Sequence, residues 1–143
     1  LRQLRRFPPP QQEEKTLSAQ VAQFLFLQYN GIIHRFDIGA DVKLSKKQAI
    51  FVKYSLRHER GFPDLMIFEM RGGYGGLFIE LKKDRDEVFT KSGDYRQDKH
   101  NVEQREFHIR LRKKGYRVEY GFGFKDTIEK IRAYMILDEL NMV

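Results

Sequence analysis

From about Gln12 to Tyr29, the apolar residues Leu17, Val21, Phe24 and Leu25 recur at helical spacing. That stripe predicts a helix with one buried face, ended by Asn30-Gly31. Ile32 to Asp37 reads as a strand. Ser45 with Gln48 three positions on resembles a capping box, and Ala49, Val52 and Leu56 keep helical spacing, so a second helix with a solvated charged side is expected over Lys46 to Arg57. Two apolar runs, Leu65 to Met70 and Leu77 to Lys82, flank Gly72-Gly73-Tyr74-Gly75-Gly76 and predict a hairpin. Lys83 to Lys99 is polar, mixed in charge and too long for a simple connection; loops of this kind often move or bind. Val102 to Lys114 reads as a helix stopped by Gly115, Tyr116 to Tyr120 as a strand, and Asp126 with Glu129 as the cap of a last helix reaching about Leu140. Helix, strand, helix, strand, strand, helix, strand, helix is an α/β order. It predicts a central mixed β-sheet with α-helices on its faces.

With 143 residues, 41% of them hydrophobic, the chain has enough core for one domain. The division expected is a flexible basic arm over residues 1–11, with Arg2, Arg5, Arg6 and Pro8-Pro9-Pro10, ahead of a domain over 12–143. There are no cysteines, so a disulfide framework and a thiolate metal site are excluded and any metal must be held by oxygen or imidazole. The apolar runs are too short to span a bilayer and the N-terminus has no signal-peptide block, which points to a soluble intracellular protein without a membrane partner. Leu1 stands where an initiating methionine would, which weakens that reading. The 27 Lys and Arg against 20 Asp and Glu give a net charge of +7, which favours a polyanion such as nucleic acid, although a solvated basic surface would look the same.

Candidate chemistry gathers around the hairpin. Asp64 precedes Glu80-Leu81-Lys82 by sixteen positions. Side chains alternate along a strand, so Glu80 and Lys82 share one face while Leu81 points into a core. The predicted pairing brings Asp64 beside Glu80, and two carboxylates and an amine converge. Such a set suits Mg²⁺ or Mn²⁺, which take hard oxygen ligands: Asp64, Glu80 and the backbone carbonyl of Leu81. Lys82 would then orient water, stabilise phosphate charge or act as a base; the sequence does not choose among these. Glu14, a carboxylate on an apolar stripe, is expected to reach the site, although an acid in the first turn is also welcome in water at the helix dipole. Gln104 shares an inward helix face with Phe107 and Leu111, and its amide would bond water, Lys82 or phosphate, or serve a structural network.

Other polar residues read more plainly. His100 and His108 lie near the Gln104 face as ordinary, partly buried histidines, and neither is assigned to a metal. His34 and Asp37 point to opposite faces of their strand. The glycine cluster lacks the lysine and following helix of a phosphate-binding loop. Lys83, Arg85, Lys91, Arg96 and Lys99 form a candidate DNA-binding track where phosphate contacts would fit, and Arg105 and Arg112 on the next helix would extend it, although a solvated helical face is the more common meaning of their spacing.

Taken as an ordered set, Glu14, Gly61-Phe62-Pro63-Asp64, Glu80-Leu81-Lys82 and Gln104 resemble the PD-(D/E)xK nuclease superfamily, and within it the VRR-NUC group. The likeness runs from about Glu14 to Tyr134 and includes the Gly-x-Pro-Asp-Leu opening, Phe-Ile-Glu-Leu-Lys, and Gly115-Tyr116 after the glutamine helix. The resemblance implies a restriction-endonuclease-like core and a divalent metal at Asp64, Glu80 and the Leu81 carbonyl. Glu14 would complete the acidic site, if need be through water, with Lys82 as catalytic lysine and Gln104 as the group's helix glutamine. It further implies a standalone phage-type DNA endonuclease, in the cytoplasm of a bacterial or phage-infected cell, working as a homodimer on branched DNA in the manner of a Holliday junction resolvase. The segment from Asp37 to Arg60 and the loop from Glu87 to Lys99 depart from the group's pattern. Rival readings are a nicking or flap nuclease without junction preference and a noncatalytic DNA-binding module.

Overall fold

A computed structural model describes residues 13–37, 45–52 and 60–139, with side chains from residue 16 onward in the first helix. Eight elements follow the predicted order: α1 (Glu13–Gln28), β1 (His34–Phe36), α2 (Lys46–Phe51), β2 (Leu65–Ile67), β3 (Leu77–Lys82), α3 (Lys99–Lys113), β4 (Arg117–Phe122) and α4 (Gly123–Met135). A short 3-10 turn, Arg85–Glu87, lies between β3 and α3. The expected basic arm lies outside the described residues, as do residues 53–57 of the second helix's expected range.

The sheet runs β1-β2-β3-β4, antiparallel across the first two pairings and parallel between β3 and β4. It is therefore mixed, with helices on both faces. Alternation along β3 sorts two cores. Leu77 and Ile79 join Leu17, Val21 and Leu25 of α1 and Ile131 and Tyr134 of α4 in the larger one, with Leu81 packed at its edge. Phe78 joins Phe107 and Leu111 of α3 and Val118 of β4 in the smaller one. Removing these side chains from water is the main stabilising term of the fold.

Several boundaries moved for local reasons. The capping box forms, with Ser45 Oγ accepting from Gln48 N and Gln48 Oε1 from Ser45 N, yet α2 buries none of its described residues. Helix α3 begins at Lys99, earlier than the apolar spacing suggests, because Asp98 caps it by accepting from Asn101 N. Helix α4 begins at Gly123, and Asp126 is a first-turn residue that accepts from Phe122 N at 2.8 Å rather than the cap. Helix α4 also stops at Met135, short of Leu140. The polar segment after β3 is folded: Val88 is fully buried, Phe89 pairs with Tyr95, and Asn101 Nδ2 donates to the Glu87 carbonyl at 3.0 Å.

Candidate active site

Three neighbouring elements deliver the site. Gly61, at φ +82°, runs so close to α3 that an added Cβ would lie 2.5 Å from the Glu103 carbonyl oxygen. Phe62 then packs on Phe78 and Phe107, and Pro63 is fully buried. This wedge fixes Asp64 at the start of β2. Its Oδ2 accepts from Leu81 N at 2.8 Å, and its carbonyl accepts from Asp37 N at 2.7 Å. The predicted pairing of Asp64 with the Glu80-Leu81-Lys82 strand is thus present, held by a side chain against a strand amide.

Glu80 and Lys82 project from the α3 side of β3, 3% and 8% exposed. Gln104 lies over both. Its Nε2 donates to Glu80 Oε1 at 2.6 Å, and its Oε1 accepts from Lys82 Nζ at 2.9 Å. Lys82 Nζ is itself 3.7 Å from Glu80 Oε1. One amide therefore satisfies an acid with its donor end and an amine with its acceptor end, and fixes the spacing between them. The second oxygen of Glu80, Oε2, is buried without a hydrogen-bond partner.

Burial disfavours charge on both carboxyls. It raises Asp64 to about 8, helped by the neighbouring charge of Glu80. Glu80 is raised to about 7, burial outweighing the opposing pull of Lys82. Two acids that resist ionising side by side, one with an orphaned oxygen, are poorly matched to Lys82 alone. A divalent cation would relieve both, so the donor set fits a hard metal ion. Among the described residues no three His, Cys, Asp or Glu side chains form a metal cluster, and a bound ion would take its remaining ligands from backbone carbonyls, water or an acid outside them. Glu14 is the second residue of α1, and its side chain lies outside the described residues.

A scan against family models and a search of curated proteins return no match. A solved structure described as a VRR_NUC domain protein superposes with a TM-score of 0.60 at 25% identity, over 91% of this chain and 93% of that one. The chain has a VRR-NUC-like fold. The mixed sheet and flanking helices agree with that fold, and the likeness suggests a nuclease domain.

Around these acidic residues, the expected basic track divides. Arg85 and Arg105 line a cleft between the folded loop, α3 and β4. Arg105 donates to the Arg96 carbonyl at 2.8 Å, while Arg96 turns its Nε to the Asp86 carbonyl. Lys83 and Lys91 are exposed, and Lys99 lies 3.9 Å from Glu103 on the surface of α3. No helix among the described residues is long and apolar enough to cross a membrane.

Two further residues stand near the site although neither was assigned a role there from the sequence. His108 is 1% exposed, with Nε2 3.7 Å from the orphaned Glu80 oxygen and neither ring nitrogen bonded. Burial, then Arg112, depresses it to about 4, so the ring is neutral. Tyr120 packs edge-on to His108, its hydroxyl buried without a partner. The signal for His108 was its place one helical turn after Gln104, on the same face. Tyr120 had a subtler one, being directly across the parallel ladder from Glu80.

Proposed function

We propose that the protein is a Mg²⁺- or Mn²⁺-dependent DNA endonuclease that hydrolyses phosphodiesters at the Asp64, Glu80 and Lys82 cluster, with a preference for branched DNA. The observation that carries the reading is the buried Glu80 oxygen without a partner, set beside Asp64 and tied through Gln104 to Lys82. Binding alone has no need of so costly a cluster.

Asp64, Glu80 and the Leu81 carbonyl are the ligands assigned to the metal, with Glu14 as a further acid directly or through water. The bound ion supplies charge neutralisation of the phosphate and acidification of a water nucleophile. Gln104 holds the Lys82 ammonium away from a closer pairing with Glu80, so its charge is available to a phosphate oxygen or to the attacking water. The buried setting strengthens each of these interactions, because little water is present to screen them. Lys83, Arg85, Lys91, Arg96, Lys99 and Arg105 are assigned to DNA phosphates, in keeping with the net charge of +7.

A twofold homodimer would present two such sites to two strands of a junction. Ile33 and Phe68, 65% and 52% exposed and neighbours across the sheet edge, offer apolar surface for it.

The decisive experiment compares cleavage of a labelled four-way DNA junction and its linear duplex by wild type and Glu80→Ala, in Mg²⁺, Mn²⁺ and chelator. Junction cutting that disappears with chelator and with the substitution is expected. Equal cutting of both DNAs leaves a nuclease without junction preference, and binding without cutting leaves a noncatalytic module.

A further inference from the structure

Four aromatic rings stand outside both apolar cores, and they are arranged as a row. Phe89 and Tyr95 have centroids 4.9 Å apart, Phe89 and Phe122 6.1 Å, and Phe122 stacks on Tyr120 at 5.6 Å and 20°. The row borders a cleft of about 310 Å³. Cations are set against its faces: the Arg85 guanidinium lies 4.7 Å from the Phe89 ring, Arg105 4.8 Å from Tyr95, and Lys130 5.1 Å from Phe122. Arg112 also lines the cleft. The lining acid, Glu119, is engaged by Arg117 Nε at 3.0 Å.

Burial does not account for this row. Tyr95 is 47% exposed, and the other three rings are only partly covered. Rings alternating with guanidinium and ammonium groups are what a single-stranded nucleic acid requires, since bases stack on ring faces while cations meet the phosphates. The cleft volume is in the range of small-ligand sites. At its inner end, His108 and Tyr120 present buried polar atoms that lack partners, and His108 stands 3.7 Å from the orphaned Glu80 oxygen. One side chain, His108, therefore separates the cleft from Glu80.

We propose that this cleft holds one unpaired nucleotide of the DNA strand beside the phosphate to be cut. The base stacks at the Tyr95 and Phe89 end, and Arg105 and Arg112 receive its phosphate. A paired base is committed to its own stack and partner, so entry favours strands that offer a free base, such as a tail, a flap or an opened junction arm. The inference rests on the nuclease reading, since it supplies the substrate preference of that same site.

The test uses a duplex with a single-stranded tail carrying 2-aminopurine, and a fully paired duplex of the same sequence, both bound in chelator so that neither is cut. Wild type is expected to quench the 2-aminopurine and to prefer the tailed DNA. Tyr95→Ala should weaken binding of the tailed DNA by about tenfold more than that of the duplex, and Tyr95→Trp should restore it. Equal affinity of wild type for both DNAs, or an equal loss on Tyr95→Ala, overturns the proposal. Junction cleavage in Mg²⁺ and Mn²⁺ is scored separately. Quenching without cleavage sinks the nuclease reading and keeps the nucleotide cleft, while cleavage with equal binding of both DNAs does the reverse.

Discussion

Gln104 is the residue on which the site's order depends, because its amide is bonded at both ends to buried charged groups. Gln104→Leu keeps nearly the same volume but strands Glu80 Oε1 and Lys82 Nζ together. Each lost bond to a charged group costs about 1.5–3 kcal/mol when the partner stays buried. The expected outcome is a urea midpoint lowered by that order of energy and a cleavage rate down by roughly a hundredfold, whereas Gln104→Glu should instead tighten Lys82 and still lose the Glu80 bond. A Gln104→Leu protein with wild-type midpoint and rate would show the amide to be incidental. Glu80, Lys82 and Gln104 were legible in the sequence because strand alternation and helical spacing are local rules, and each placed its residue on the right face. The face of His108, one turn after Gln104, was legible by the same rule, but Tyr120 was not, since its place beside Glu80 depends on which strand pairs with β3, which no local period encodes.

Among the elements, the approach of the Gly61 to Asp64 segment to α3 is the least forgiving contact. Gly61 combines a positive φ with three α3 backbone atoms within 3 Å of the place a Cβ would take. Gly61→Ala must therefore push the segment away from α3 or strain it, at a cost on the order of 2 kcal/mol. Because Asp64 follows three residues later, cleavage should fall along with stability, and chemical denaturation paired with the junction assay will read both. An unchanged midpoint would mean that the backbone gives way freely. The Gly-x-Pro-Asp run marked this segment in the sequence, but its reason, contact with a helix some forty residues on, became visible only in the fold. The element order and the hairpin were legible from periodicity. The shifted starts of α3 and α4 were not, because Asp98 and Asp126 decide them through side-chain bonds to nearby amides rather than through apolar spacing.

For the molecule as a whole, the buried acids link stability to pH in a direction opposite to that of most paired carboxylates. In the unfolded chain Asp64 and Glu80 ionise near the usual 4 to 4.5, but in the fold they keep protons until about 8 and 7. The folded state then binds more protons between those limits, so their contribution is fully present below about pH 4 and is lost as the pH rises through 7 to 8. His108 works against this below about 6.5, where the unfolded chain takes up a proton that the buried ring refuses. Above 6.5 the acids act alone. In chelator, stability should fall by about 3 kcal/mol between pH 5.5 and 8, which corresponds to a net of roughly one proton across the interval. Adding Mn²⁺ should reverse the trend, because a metal binds the deprotonated pair and its stabilisation grows as the protons leave. Thermal unfolding across this range, with and without Mn²⁺, measures both effects, and Glu80→Gln should flatten the two curves together. A metal-free protein whose stability rises toward pH 8 would mean that Asp64 and Glu80 are already ionised in the fold, and the case for a cation between them would lose its electrostatic basis.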